Sequence, residues 1–170
     1  RVVFDGAGAA GASEQAGRAA LLVAELSAGD GDEAEIARWL AEAREAFVAA
    51  GDGRRACEAA ATRGFVLRRT LQELEGLTSA IRQAREAGAV RAMGLGFYAL
   101  GAQRVLRDQP SMAVGAFREG VRFALEARDG TLAAWAQTGL AEALLSLGQV
   151  DEAEAAVSGL KGRLDLAERE

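Results

Sequence analysis

Histidine is absent from this 170-residue chain, and cysteine, proline and aromatic residues are scarce. Histidine is the most common general base and a frequent metal ligand, so its absence leads us to predict no catalytic residues, no metal site and no cofactor. The single cysteine, Cys57, cannot form an internal disulfide, which fits a reducing compartment. The single proline, Pro110, excludes proline-rich and collagen-like structure.

Long apolar runs are also missing. No stretch approaches the roughly 18 uninterrupted apolar residues that a membrane span needs, so we expect no membrane partner. No basic segment followed by an apolar core indicates a secretory signal, and we expect a cytoplasmic protein. Half of the residues are apolar, mostly Ala and Leu, while β-branched and aromatic runs are rare. This composition favours close-packed helices over sheets.

Clustered positive charge is the next missing feature. The net charge is -5, and the basic residues are scattered among Asp and Glu. Nucleic-acid binding normally requires a clustered basic face, so we expect no nucleic-acid partner for this chain. The first residue is Arg1 rather than Met, and we therefore expect the chain to be a piece of a longer protein.

Residues 1–12 contain Gly6, Gly8 and Gly11 in a GxGxxG spacing. In a dinucleotide-binding unit such glycines let a helix N-terminus approach a pyrophosphate, and a second strand ending in an acidic residue follows about 20 residues later. Here Glu25 to Asp32 reads as a turn and no β-like run follows. We therefore predict a flexible leader over 1–12. A nucleotide-dependent enzyme using Gly6 to Gly11 is the alternative.

From Ser13 onward the chain alternates helical patterns and short breaks. Apolar residues recur every three or four positions between breaks that contain Gly, Asp or Pro. This pattern predicts an all-α fold of eight helices in about four antiparallel hairpins, at about 13–50, 54–87, 90–128 and 131–168. Thr70 with Glu73 forms a capping-box pattern that predicts the start of the fourth helix.

One helical-hairpin pattern occurs twice at a spacing of forty residues. The first copy contains Phe97, Leu100, Gly101, Arg104, Ala113, Phe117 and Gly120, and the second contains Gln137, Leu140, Ala141, Leu144, Ala153, Val157 and Leu160. The second hairpin follows the same period, since Cys57 and Ala61 lie forty positions before Phe97 and Gly101. Counting such repeats comes first because they determine the fold. We predict that a small residue at Gly101 lets two helices approach, with Phe117 filling the space opposite.

These residues resemble the tetratricopeptide repeat, in which an aromatic and Leu-Gly on one helix accompany Ala and an aromatic on the next. The sequence departs from the family at Arg104 and Gln137, and its period of forty exceeds the standard 34 residues. The longer period and the phrase from Ala46 to Asp52 resemble the helical arm of large ATP-binding LuxR-type (MalT-like) bacterial transcription regulators. The resemblance implies a right-handed superhelix, with the first helix of each hairpin along a concave groove.

The resemblance also implies which residues face that groove. They are Arg55, Glu58, Thr62, Leu95, Tyr98, Trp135, Thr138 and Glu142. Tyr98 and Trp135 are the strongest candidates because aromatic residues with a polar tip anchor interfaces. Ordinary core packing is the alternative for both.

The resulting prediction is a non-catalytic module that binds a protein or peptide in a concave groove. A self-association scaffold, in which terminal hairpins stack between copies, is an alternative, so a homo-oligomer remains possible.

We interpret Cys57 as a buried, inert thiol. Asp30 and Asp32 flank Gly31 in a calcium-like pattern, but helix capping explains them better. Pairs of acids, namely Glu42 with Glu45 and Glu73 with Glu75, are interpreted as solvated helix faces.

Overall fold

The computed structural model describes residues 2–27, 32–69 and 74–167, and within these ranges the chain is helical and contains no strand. The α-helices are α1 (Val2–Ser27), α2 (Glu33–Ala49), α3 (Gly53–Val66), α4 (Leu74–Glu86), α5 (Val90–Val105), α6 (Pro110–Glu126), α7 (Gly130–Ser146) and α8 (Val150–Ala167). A short 3-10 helix, Leu67–Arg69, follows α3. The predicted all-α class is confirmed. The predicted capping box of Thr70 and Glu73 lies outside the described residues.

Aspartates define several of the helix starts. The side chains of Asp32, Asp52 and Asp129 accept hydrogen bonds from the backbone N–H groups of the first turns of α2, α3 and α7, at 3.0, 3.0 and 2.9 Å. Such caps satisfy N–H groups that have no partner within the helix. Asp32 therefore acts as a helix cap, as the sequence predicted, while Asp30 and Gly31 lie outside the described residues. After α4, Gly88 takes a positive φ of 63°, a conformation that ends helices readily because glycine has no Cβ.

Helix α1 begins earlier than the sequence predicted. It starts at Val2, so residues 2–12 are helical. Ser13, where the sequence predicted the helical pattern to begin, lies inside the helix. The physical reason is helix propensity. Each glycine lowers helix stability by only about 1 kcal/mol relative to alanine, and the alanines in this segment favour the helix most strongly. Further along, Ala20 and Ala24 are buried against α2, which anchors the helix.

Helices that are neighbours in the chain pack against each other. α1 packs on α2, α2 on α3, α5 on α6, α6 on α7, and α7 on α8, while α4 packs on both α3 and α5. α3 also contacts α5, and α5 contacts α7. By contrast, α1 and α3 have little direct contact. α7 begins forty residues after α5, and α8 begins forty residues after α6.

Phe117 of α6 fills the space between α5 and α7. A Cβ added to Gly101 would lie 2.7 Å from Phe117 Cδ1, and one added to Gly139 would lie 2.6 Å from its Cε1. The predicted role of Gly101 is thus confirmed, and Gly139 on the next helix plays the same role from the other side. Phe117 is only 3% exposed as a result.

The two departures from the family pattern differ in their surroundings. Arg104 is half-buried and donates from Nη1 to Gln109 Oε1 at 2.7 Å. Gln137 is 6% exposed, and its Oε1 accepts no hydrogen bond from any residue that the structure describes. Gln137 is thus a polar residue in the core. At the same repeat position forty residues earlier, Phe97 stacks on Phe123.

None of the described helices combines the length and the apolar character that crossing a bilayer requires.

Candidate functional site

A cleft of about 450 Å³ opens between α1 and α3. α1 and α3 have little direct contact, and residues of α1, α2 and α3 line the cleft. Its floor on α2 is buried, since Ile36, Leu40 and Phe47 are at most 6% exposed. Five helices line this cleft. The lining residues are Leu21 and Ala24 of α1, Ile36, Leu40 and Phe47 of α2, Arg55, Glu58, Ala59, Thr62, Phe65 and Val66 of α3, Arg91 and Leu95 of α5, and Trp135 of α7. We call this the larger cleft. Most of its lining is apolar.

A second cleft of about 280 Å³ lies beside it. Its lining comes from the 3-10 helix, α5, α6 and α7, and consists of Arg68, Tyr98, Ala102, Val105, Leu106, Phe117, Trp135, Thr138, Gly139 and Glu142. We call this the smaller cleft. Val105 and Leu106 are exposed there, so it offers apolar surface to a ligand.

Aromatic side chains separate the two clefts. Trp135 lines both of them and stacks on Phe65 at 5.0 Å between ring centroids, with 24° between the ring planes. Phe65 also contacts Tyr98 at 5.4 Å, and Tyr98 contacts Phe117 at 5.7 Å. Offset aromatic pairs at such distances are attractive, so the rings form a continuous ridge. Trp135 nevertheless remains 44% exposed.

The structure divides the predicted groove residues between the clefts. The larger cleft contains Arg55, Glu58, Thr62 and Leu95, the smaller contains Tyr98, Thr138 and Glu142, and Trp135 belongs to both. Leu95 is only 3% exposed and forms part of the core. Tyr98 is half-buried and packs against the core. Trp135, by contrast, lies at the surface rather than in the core.

Sequence reasoning missed Phe65 and Arg68. Phe65 follows Glu58 by seven positions and Thr62 by three, which puts all three on one face of α3. This spacing was available in the sequence. The groove positions implied by the family resemblance do not include Phe65.

The charged side chains of the larger cleft all have partners within the chain. Arg55 Nη1 lies 2.7 Å from Glu14 Oε1 and so links α3 to α1, and its Nε lies 3.5 Å from Asp52 Oδ2. The hydrogen bond from Arg55 lowers the pKa of the Glu14 carboxyl and raises the pKa of the Arg55 guanidinium. Glu58 pairs with Arg54 at 3.6 Å.

The third charged side chain of the larger cleft, Arg91, pairs with Asp129 at 2.9 Å. In the smaller cleft, Arg68 donates from Nη1 to the Phe65 carbonyl at 3.0 Å and lies 4.4 Å from the centre of its ring. Glu142 is exposed, and it has no ion pair or hydrogen-bond partner within the part of the chain that the structure describes. It is therefore available to a ligand.

The acidic pairs and the glycine-rich segment singled out in the sequence are not among the described residues that line the two clefts. In the described ranges no cluster of three or more carboxylates or thiols could hold a metal ion. Glu42 is exposed and lies 3.9 Å from Arg38, and Glu45 is also exposed, while Glu73 lies outside the described residues. Gly6, Gly8 and Gly11 lie inside α1. A phosphate-binding loop presents free backbone N–H groups ahead of a helix, whereas these glycines lie within one.

Cys57 is buried, as predicted. Burial raises the pKa of its thiol, against a smaller opposite effect of Arg44. Because the thiolate is the reactive form, we expect Cys57 to react with a chromogenic disulfide reagent at neutral pH far more slowly in the native protein than after unfolding in denaturant. Absorbance of the released thiolate measures both rates. Equal rates in the two states would show that the thiol is accessible.

Comparisons of the chain with protein families, with curated proteins and with solved structures find no match. The resemblance to tetratricopeptide repeats and to the MalT-like arm therefore stays a prediction from the residues quoted above.

Proposed function

We propose that this chain is a non-catalytic protein-interaction module that binds a peptide or a segment of a partner protein across the two clefts. Its four helix pairs would form a right-handed superhelix with a period of about forty residues and with the clefts on the concave side. The exposure of Trp135 between two apolar clefts is the observation that carries the proposal. The sequence resemblance further suggests a cytoplasmic role within a larger bacterial regulator.

Two physical properties of the groove support binding. The larger cleft, at about 450 Å³, falls in the size range of roughly 300–1,000 Å³ that is typical of ligand sites. Tryptophan is among the residues that contribute most to binding free energy, particularly where surrounding contacts exclude water. Stacking on Phe65 holds the indole in place, so little side-chain entropy is lost when a ligand covers it.

Trp135→Ala tests the proposal directly. Twelve-residue peptides would be selected from a display library against the 170-residue chain, and their affinities measured by fluorescence anisotropy. We expect the substitution to weaken binding by about tenfold or more, as for other buried tryptophan anchors. The melting temperature should fall by only a few degrees, because Trp135 is already 44% exposed and its stack on Phe65 is worth about 0.5–1.5 kcal/mol.

Leu145→Ala is the matched control. Leu145 is also an exposed apolar residue of α7, 55% exposed, but it lines neither cleft. Its replacement should leave peptide affinity unchanged. Equal affinity of the Trp135→Ala variant and the wild type would overturn the groove as the binding site. A loss of several kcal/mol in stability would instead assign Trp135 to the core.

A self-association scaffold is the second candidate, and one observation favours it. Val157 occupies the repeat position of Phe117, forty residues later, yet it is 51% exposed whereas Phe117 is buried between α5 and α7. An apolar face on α8 is thus available to a helix pair of another copy. Light scattering over a dilution series separates the candidates, since a concentration-dependent mass supports association and a constant monomer mass contradicts it.

A further inference from the structure

We infer that the occupant of this groove carries a bulky apolar side chain for the larger cleft and, about 10 Å further along α7, a lysine or arginine that pairs with Glu142. The inference rests on the proposed function and specifies the chemistry of the partner. It follows from the contacts that the charged side chains of the two clefts make within the described part of the chain.

The larger cleft selects for an uncharged group. Its three charged side chains, Arg55, Glu58 and Arg91, each have an oppositely charged partner within the chain. A charged ligand group placed among them would have to lose its hydration and compete with pairs already formed, the closest at 2.7 Å. Burying a charge without a partner is unfavourable. An aliphatic or aromatic side chain avoids this cost and removes from water the apolar surface that Leu21, Phe65 and Trp135 leave partly exposed.

The smaller cleft adds the requirement for a cation. Arg68 is held against Phe65 by a hydrogen bond to its carbonyl and by its position over the ring. Glu142 has no such partner in the described part of the chain and lines the same cleft. An ammonium or guanidinium can form an ion pair with Glu142 without breaking a contact within the chain. An anion could pair with Arg68 only by competing with the Phe65 carbonyl and ring, and it would also lie in the cleft that contains the Glu142 carboxylate. The net charge of -5 adds attraction for a basic segment at low salt.

Helix geometry determines the distance between the two anchors. Trp135, Thr138 and Glu142 share one face of α7, because residues three, four and seven apart lie on the same side of a helix. Trp135 and Glu142 are separated by seven residues, or about 10 Å at 1.5 Å per residue. An extended ligand spans that distance with about three residues, and a helical ligand with about seven. The basic residue is therefore expected at one of these two spacings from the apolar anchor.

The test is a selection of randomised twelve-residue peptides on the full 170-residue chain and on three variants. Glu142→Lys reverses the proposed contact, Trp135→Ala removes the ridge, and Glu154→Lys is the matched control. Glu154 is exposed on α8 and lines neither cleft, so its substitution changes the net charge equally without touching the groove. Peptides selected on the wild-type chain should combine a Leu, Phe or Trp with a Lys or Arg at one of the two spacings.

Affinities of the selected peptides then separate the outcomes. Glu142→Lys should weaken binding by about three- to tenfold and Glu154→Lys by less than twofold, with the difference shrinking at high salt because exposed charges are screened. Three results would overturn the inference while leaving the proposed function intact, provided that binding still depends on Trp135. They are selected peptides with no preference for basic residues, selected peptides with a preference for acidic residues, and equal effects of the two lysine substitutions on affinity. Selected peptides whose binding ignores Trp135 overturn the proposed function itself, as does the absence of any enriched peptide.

Discussion

Replacing Phe117 by alanine is expected to lower the free energy of unfolding by about 3–5 kcal/mol, the usual cost of removing a buried phenylalanine ring. Phe117 is 3% exposed, and its ring lies between Gly101 and Gly139. Glycines cannot extend a side chain into the space that the ring leaves, so the cavity persists. For a chain of this size, the loss corresponds to a fall in melting temperature of roughly 6–20 °C. Chemical denaturation followed by circular dichroism measures it.

Phe117→Leu is the companion variant for this experiment. Leucine restores part of the lost volume, so its cost should be clearly smaller than that of alanine. A loss below about 1 kcal/mol for Phe117→Ala, where a buried ring normally contributes several times more, would show that the ring does not hold α5, α6 and α7 together.

Gly139→Ala is expected to lower the free energy of unfolding even though alanine favours helices. The new Cβ would lie 2.6 Å from Phe117 Cε1, and Gly101 blocks the ring from moving the other way. Overpacking of this kind costs about 1–3 kcal/mol, which exceeds the gain of up to about 1 kcal/mol from replacing a helical glycine. Urea titration of the purified variant gives the difference in stability.

Gly115→Ala provides the control, because it makes the same chemical change on α6, where no side chain or neighbouring helix among the described residues lies within 4 Å of the new Cβ. Only the helix-propensity gain remains there, so this variant should be more stable than the wild type by up to about 1 kcal/mol. If both substitutions stabilise the protein, the close approach at Gly139 is not a constraint on the core.

Several helix bounds could be predicted because their signals are local. Pro110 at the start of α6, Asp129 before α7 and Gly148 after α7 all mark breaks that the structure contains. Proline is compatible with the first turn of a helix, aspartate caps free N–H groups, and glycine accepts a positive φ. Each of these preferences depends on only a few adjacent residues.

Helix α1 shows where local signals fail. Its glycines suggested a leader, yet the helix begins at Val2. Weak propensities do not decide such a segment, since most helix stability in proteins comes from packing of one face, and here Ala20 and Ala24 supply that packing. The candidate site shows the same limit, because its lining residues could be partly chosen from the repeat pattern but their division into two clefts could not.

The amino-acid sequence by itself determined that the protein is all-helical and where most of its helices begin and end, because propensity, capping and periodicity are properties of neighbouring residues. The tertiary structure alone decided that α1 and α3 stand apart over α2, and that Phe65 stacks on Trp135 seventy positions later. Distances between helices depend on how side chains from distant segments interlock. The clefts, the exposed indole and the position of Glu142 in the smaller cleft therefore arise only once the helices have packed.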